Sequence, residues 1–467
     1  MSLENIHFQS LTSVAKQIES GAVSPVAVAE AILSRIEKYD PGLKSYTTVT
    51  ADLALRQAKA AETEIAKGIY RGPMHGIPIA VKDLCFTKGI TTTGGMKIYE
   101  DFKPDYDATV VTKLAEAGAV LLGKLHMTEG ATIEHHPDMP EPVNPWKKDL
   151  WTGVSSSGSG VSTAAGLTYA AIGSDTGGSI RFPSACNALT GIKPTWGLIS
   201  RYGIFDLAAT FDHLGPMARS AADAAAMLQA LAGWDRNDTT TLRAPVPNYL
   251  EALDGIYGAR GIKIGLDWDY VAPDADPVTI GLLKDAITVL EEIGALTQNV
   301  KFPAIDTLLT YAMSMTMMEM AAAHEKTYPS QASRYGGWIS QGMEAGRSAN
   351  PVDIGKGVIE RYKFRGAIVS MSEAIDVFVM PVFGRGTPTW EEVRAAVAID
   401  FNIIGKFTTP FNASGVPTVT LPCGFTDDGR PVAFQLAGIH GSEAMLLKVA
   451  HAYQQATDWH TRRPTGF

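Results

Sequence analysis

A serine that does chemistry near neutral pH needs a base to activate it and donors for the charge it creates. Residues 153–195, GVSSSGSGVSTAAGLTYAAIGSDTGGSIRFPSACNALTGIKPT, supply suitable residue types. Two serine clusters flank the strand-like TYAAIG. The second reads Asp175-Thr176-Gly177-Gly178-Ser179. Two glycines directly before a serine let the backbone fold tightly and turn successive N–H groups toward one point. That suits an oxyanion hole beside a nucleophile, although a plain tight turn has the same composition. No histidine is well placed as the base: His126, His135 and His136 fall in or near one loop, and His75 precedes a strand. Lys82 closes the apolar run Ile77-Pro78-Ile79-Ala80-Val81. Burial at a strand end disfavours the ammonium form, and a neutral amine accepts a proton. Serine–lysine versions of the triad are an established solution. A strand-end lysine taken alone is more often a surface residue, so the residue pattern leaves both readings open.

Longer matches decide between them. The chain resembles the amidase signature family in GIPIAVKDL at 76–84, AGAVLLGKLHMTE at 117–129, GVSSSGS at 153–159 and DTGGSIRFP at 175–183. Further matches are GIKPTWGLIS at 191–200, GPMARSAADAAAML at 215–228, PFNASGVPTVTLPCGF at 410–425 and QLAGIHGSEAMLLKVAHAYQ at 435–454. The resemblance implies that Ser179 is the acyl-accepting nucleophile, Ser155 a bridging serine held by a cis peptide bond, and Lys82 the terminal base. It implies that the backbone N–H groups of Thr176, Gly177, Gly178 and Ser179 hold the oxyanion. Ser156, Asp175 and Arg181 are expected to support them, with Arg181 bracing the loop or the Asp175 carboxylate. Met127, Thr128, Glu129 and Gly130 are expected in the substrate pocket. Val154 and Ser157 replace two usual glycines, Asn187 stands where cysteine is common, and Gly130 where a bulky aromatic is frequent.

These residues require a scaffold, and its outline is legible. Thr12 can cap a helix that stops at Gly21; Ser24, with Pro25 in the first turn, can cap another running through Tyr39. From residue 76 short β-branched runs alternate with helical stretches: GIPIAVKD, a helix near ATVVTKLAEAG, then GAVLLGK. TYAAIGS, GIKIGLD, AIDVFVMPV, PTVTLPCG and PVAFQLAG follow as strands. Asp276, Pro277 and Gly294 bound a helix with apolar Ile280, Leu283, Ile287 and Leu290. The mixture predicts an α/β fold, which the resemblance sharpens to a central mixed twisted β-sheet covered on both faces by α-helices. Residues 1–467 are expected to form a single amidase domain, with N-terminal helices over about 1–70 packing on the α/β core. Residues 235–247 read as a surface loop rather than a boundary.

Other patterns fall away. GAVLLGKL fits G-x-x-x-x-G-K, but Leu125 occupies the Ser/Thr position and strand formers fill its middle. Ser13 and Lys16 fit S-x-x-K without its partner motifs. His135, His136 and Asp138 lack the spacing of a metal site. Met313, Met317 and Met320 share one helical face, which suits helix core and also an adaptable pocket wall. Composition is ordinary for a globular chain of 467 residues, with 45% hydrophobic and 19% charged. Forty basic against 49 acidic side chains give a net charge of −9, with no basic cluster that would suit nucleic acid. Three dispersed cysteines make neither a metal pattern nor a disulfide framework. The start, MSLENIHFQSLTS, lacks the pattern of a secretory signal, and no apolar run is long enough to span a membrane. A cytoplasmic enzyme is expected, needing no cofactor or metal, with a small-molecule amide or carbamate and water as its reactants. The rivals are a glutaminase-type component of a tRNA-dependent amidotransferase and a non-catalytic binding protein on the same scaffold.

Overall fold

The structure, a computed structural model, describes residues 5–400 and 402–467. The first four positions of the start read for a signal therefore lie outside the described residues. Strands form where β-branched and apolar residues run unbroken. In chain order they are β1 (Tyr46–Val49), β2 (Pro78–Lys82), β3 (Val120–Leu125), β4 (Ala170–Asp175), β5 (Thr190–Lys193) and β6 (His213–Ala218). Then come β7 (Lys263–Leu266), β8 (Leu296–Asn299), β9 (Val377–Pro381), β10 (Thr418–Phe425) and β11 (Pro431–Ala437). All lie in one 11-stranded sheet, ordered β1-β3-β2-β4-β6-β5-β10-β11-β9-β7-β8. The sheet is mixed: β2 runs parallel to both β3 and β4, whereas β4, β6, β5, β10, β11 and β9 form antiparallel neighbours. Every residue of β2, β3, β4, β6, β9 and β11 is buried, because helices cover both faces. The polar β8 lies at one edge, largely exposed.

The helix signals hold, with one cap reassigned. Ser10, not Thr12, caps the Leu11–Glu19 helix, accepting the Ser13 N–H. Thr12 instead donates through its N–H and hydroxyl to Asp223, at 3.0 and 3.2 Å, tying this helix to Ala221–Leu231. Ser24 caps Pro25–Leu43 and Asp276 caps Pro277–Glu292 as their residue types dictate. Residues 235–247 contain no helix or strand, but Asp235 accepts from Thr109 and Ser200 and so stitches the loop to the body. Among the described residues no helix is long and apolar enough to cross a membrane.

The decoys acquire ordinary roles. Lys124, the lysine of the G-K pattern, is fully buried in β3, 3.2 Å from Asp83, and donates to Cys85 O and Thr92 Oγ1, both at 2.7 Å. Ser13 and Lys16 are exposed on their helix. His135 bonds Ser157 at 3.1 Å, and His136 accepts the Asp138 N–H.

Candidate active site

Parallel neighbours emerge at the same edge of a sheet, and ligand sites in α/β folds gather at such carboxyl ends. The register Ala80↔Ala171 and Val81↔Ile172 brings the end of β2, Lys82, beside the end of β4, where Ser174 and Asp175 lie. The chain then turns through Thr176–Ser179 into the short helix Arg181–Cys186. A second segment, 153–156, enters the Ser157–Ala164 helix next to it. The Val154–Ser155 peptide bond is cis.

Lys82 is fully buried and its Nζ lies 2.6 Å from Ser155 Oγ, 2.9 Å from Ser156 Oγ and 2.8 Å from Ser174 Oγ. Burial brings its pKa down from 10.5 to about 7, against the weaker opposing pull of nearby acids including Asp175 and Asp212. An uncharged amine has two N–H bonds and one lone pair, so one of these three hydroxyls must donate to the nitrogen. Ser156 Oγ donates to Ser174 O at 3.2 Å, which leaves Ser155 or Ser174 for that role. Ser179 is 8% exposed and opens onto a cleft. Its hydroxyl makes no hydrogen bond among the described residues; its carbonyl accepts the Ser156 N–H at 3.4 Å. Lys82 and Ser155 are thus joined, while the Ser155–Ser179 hydroxyl link is open here. Such links often tighten only around substrate.

The loop before Ser179 is held from behind. Arg181 grips Asp175 with two parallel bonds, Nη2–Oδ1 at 2.8 Å and Nε–Oδ2 at 3.0 Å. Asn412 adds a bond to Asp175 Oδ1 at 2.8 Å. Burial alone would raise the Asp175 carboxyl, but the Arg181 guanidinium and the Asn412 amide hold it well below the ordinary carboxylate range. Asp175 Oδ1 also accepts the Gly178 N–H at 2.8 Å. That donor is therefore committed to the carboxylate, which removes it from the four expected at an oxyanion. The N–H groups of Thr176, Gly177 and Ser179 have no acceptor among the described residues, and these three residues line the cleft. Gly178 has a φ of 141° and lies so close to the Phe182 ring that a Cβ would sit 2.5 Å from it, so only glycine fits.

The pocket differs from expectation. Its wall is not Met127–Gly130 but the next three residues, Ala131, Thr132 and Ile133. Met127 is in the core, Thr128 Oγ1 bonds Thr132 O, and Glu129 turns away to accept the Gly336 N–H at 3.0 Å. Burial raises the Glu129 carboxyl to about 7. The lining also includes Met313, Met317 and Met320 on the Asp306–Ala323 helix, the face expected from their spacing, together with Trp338 and Phe182. No Asp, Glu, Lys, Arg or His is among the described lining residues. Sequence reading missed Ser174, Asn412, Asp212 and Trp338. Strand alternation next to Asp175 could have flagged Ser174; the other three reach the site through the fold alone.

The sequence model of a family described as Amidase matches residues 27–447. The chain is 43% identical over 457 residues to AmiD of Mycobacterium tuberculosis, a candidate amidase, covering 97% of this chain and 95% of that one. It is 36% identical to a component of the glutamyl-tRNA(Gln) amidotransferase of Methylococcus capsulatus, covering 99% of each. The solved peptide amidase of Stenotrophomonas maltophilia superposes with a TM-score of 0.84 at 29% identity, over 98% of each chain.

Proposed function

The chain belongs to the amidase family, whose chemistry is C–N bond hydrolysis, and on that premise we propose that Ser179, Ser155 and Lys82 perform it through an acyl-enzyme. One observation carries the reading: a buried lysine held near neutrality, 2.6 Å from Ser155, beside a serine that opens onto the cleft. Neutral Lys82 takes the Ser155 proton as Ser155 takes the Ser179 proton, and Ser179 Oγ attacks the carbonyl carbon. Charge grows on the carbonyl oxygen and is met by the N–H groups of Thr176, Gly177 and Ser179; removing one such donor typically raises the barrier by about 3–4 kcal/mol. The relay returns the proton to the leaving nitrogen as the C–N bond breaks. Water repeats the cycle on the ester and frees the acid. Ser156 and Ser174 hold the Lys82 amine; Asp175 and Arg181 hold the loop. Residues 1–467 act as one catalytic domain in this reading.

The substrate is a neutral amide or carbamate with an apolar or aryl acyl side, because the lining has no ionised group. Free glutamine would bring an α-ammonium and an α-carboxylate into a cleft without a counter-charge, which disfavours the amidotransferase-type reading despite the 36% identity. A non-catalytic role would leave the lysine–serine arrangement without purpose. Ser179→Ala is expected to abolish turnover of chromogenic anilides and carbamates, and a fluorophosphonate is expected to label Ser179. Turnover of Ser179→Ala at the wild-type rate refutes the nucleophile; turnover of glutamine and no anilide or carbamate refutes the substrate class.

A further inference from the structure

Asp212 is a buried carboxylic acid that the scheme above gives no step, although its charge reaches Lys82. It immediately precedes β6, whose first residue, His213, pairs with Asp175 at the end of β4. The fold therefore sets Asp212 against the start of the loop that leads to Ser179. Its Oδ1 accepts the Thr176 hydroxyl at 2.5 Å, and its Oδ2 accepts the N–H groups of Leu207 and Ala208, both at 3.0 Å. Thr176 and Leu207 both line the cleft, so one carboxyl ties the first oxyanion donor to a wall of the same cleft, from behind. Burial and then Asp206 push this carboxyl up to about 7, opposed by the Thr176 and Leu207 bonds and by Arg201. Among the described residues Asp212 has no salt-bridge partner, which makes a buried acid costly to keep, and its three bonds all converge on residues of the cleft rim or their neighbours.

We infer that Asp212 is a positioning residue for the hydrolysis: through the Thr176 hydroxyl it fixes the oxyanion loop so that the Thr176 and Gly177 N–H groups meet the developing charge. The inference rests on Ser179 being the nucleophile. Asp212 itself is not among the described lining residues of the cleft. The interaction it supports strengthens only as charge appears on the oxygen, so its loss belongs in kcat rather than KM.

Four variants test it: Asp212→Asn, Thr176→Val, Thr176→Ser and the Asp212→Asn/Thr176→Val double. Asp212→Asn leaves one acceptor oxygen in place of two. Removing an oxyanion donor outright costs about 10²–10³ in kcat, and loosening one is expected to cost about 10–100-fold. Asp212→Asn and Thr176→Val should each lose that much, with KM within about threefold of wild type. Thr176→Ser, which keeps the hydroxyl, should recover most of the loss seen with valine. The double variant should be no worse than the poorer single, because both remove the same link. Wild-type kcat in Asp212→Asn overturns the inference, as does a Thr176→Ser enzyme as damaged as Thr176→Val, or additive losses in the double. Should Asp212→Asn fail to fold, the two Thr176 variants decide. An active Ser179→Ala would refute the nucleophile; an inactive Ser179→Ala beside an unimpaired Asp212→Asn refutes only the role of Asp212.

Discussion

Lys82 sits where three hydroxyls converge away from solvent, and its charge state is the quantity on which the proposed chemistry turns. Its pKa is brought down to about 7, so the base is lost below that pH and available above it. For a neutral substrate kcat/KM should therefore rise through an apparent pKa of about 7; a profile flat from about pH 5.5 to 8.5 would remove Lys82 as the base. The same displacement governs stability. Between about 7 and 10.5 the unfolded chain holds a proton on this lysine that the folded chain does not, so its unfavourable contribution to folding is largest below 7 and fades as pH rises to 10.5. Arg181 makes the complementary point. It is the buried cation that compensates Asp175, and Arg181→Met would leave that carboxylate without its charge partner. Breaking a buried pair in this way costs about 3–5 kcal/mol, which a urea-unfolding midpoint will register. A midpoint equal to wild type would mean that Asn412 and the loop N–H groups suffice.

Two packed helices set the shape of the cleft. Asp306–Ala323 brings its methionine face, and Gly337–Arg347 brings Trp338. They touch where Gly346 meets Met317: a Cβ on Gly346 would lie 2.0 Å from Met317 O. Gly346→Ala must therefore push the helices apart, at a cost of about 1–3 kcal/mol, and should raise KM for the preferred acyl group more than it lowers kcat. Unchanged stability and KM would show that the pair has slack. This level of structure also marks where the sequence stopped being informative. The segments that carry Lys82, Ser155 and Ser179 are legible because their motifs are local and the strands that carry Lys82 and Asp175 read as apolar runs. β6 is not among the strands read from the sequence, because Gly215 and Pro216 interrupt its apolar run; the glycine is needed where Ile192 O passes so near that a Cβ would lie 2.0 Å away. The pocket wall begins just past the expected Met127–Gly130, at Ala131–Ile133, where Gly130 and Ala131 take successive positive φ values of 54° and 62° that no periodicity predicts. Asn412 bonds Arg181 across 231 positions, and no local pattern carries such a contact.

At the scale of the whole molecule, charge and cleft separate. The chain carries a net charge of −9, yet the described lining of the cleft has no ionised side chain. The surface field is screened within about 10 Å at 0.1 M salt, and a neutral substrate offers it nothing to act on. Capture and turnover of a neutral anilide or carbamate should then be indifferent to ionic strength: kcat/KM is expected to change by less than about twofold between roughly 20 mM and 0.5 M salt. An anionic acyl substrate meets both the repulsion of an acidic surface and an uncompensated burial. It should be turned over poorly at low salt and gain rate as salt is added, through kcat/KM rather than kcat. The opposite pattern, a charged substrate preferred at low salt, would require a cation at the cleft and would return glutamine-like substrates to contention. Purified chain with no added partner is the right material for the measurement. Full activity on a neutral substrate in that state also separates a stand-alone hydrolase from a component that needs a complex to assemble its site.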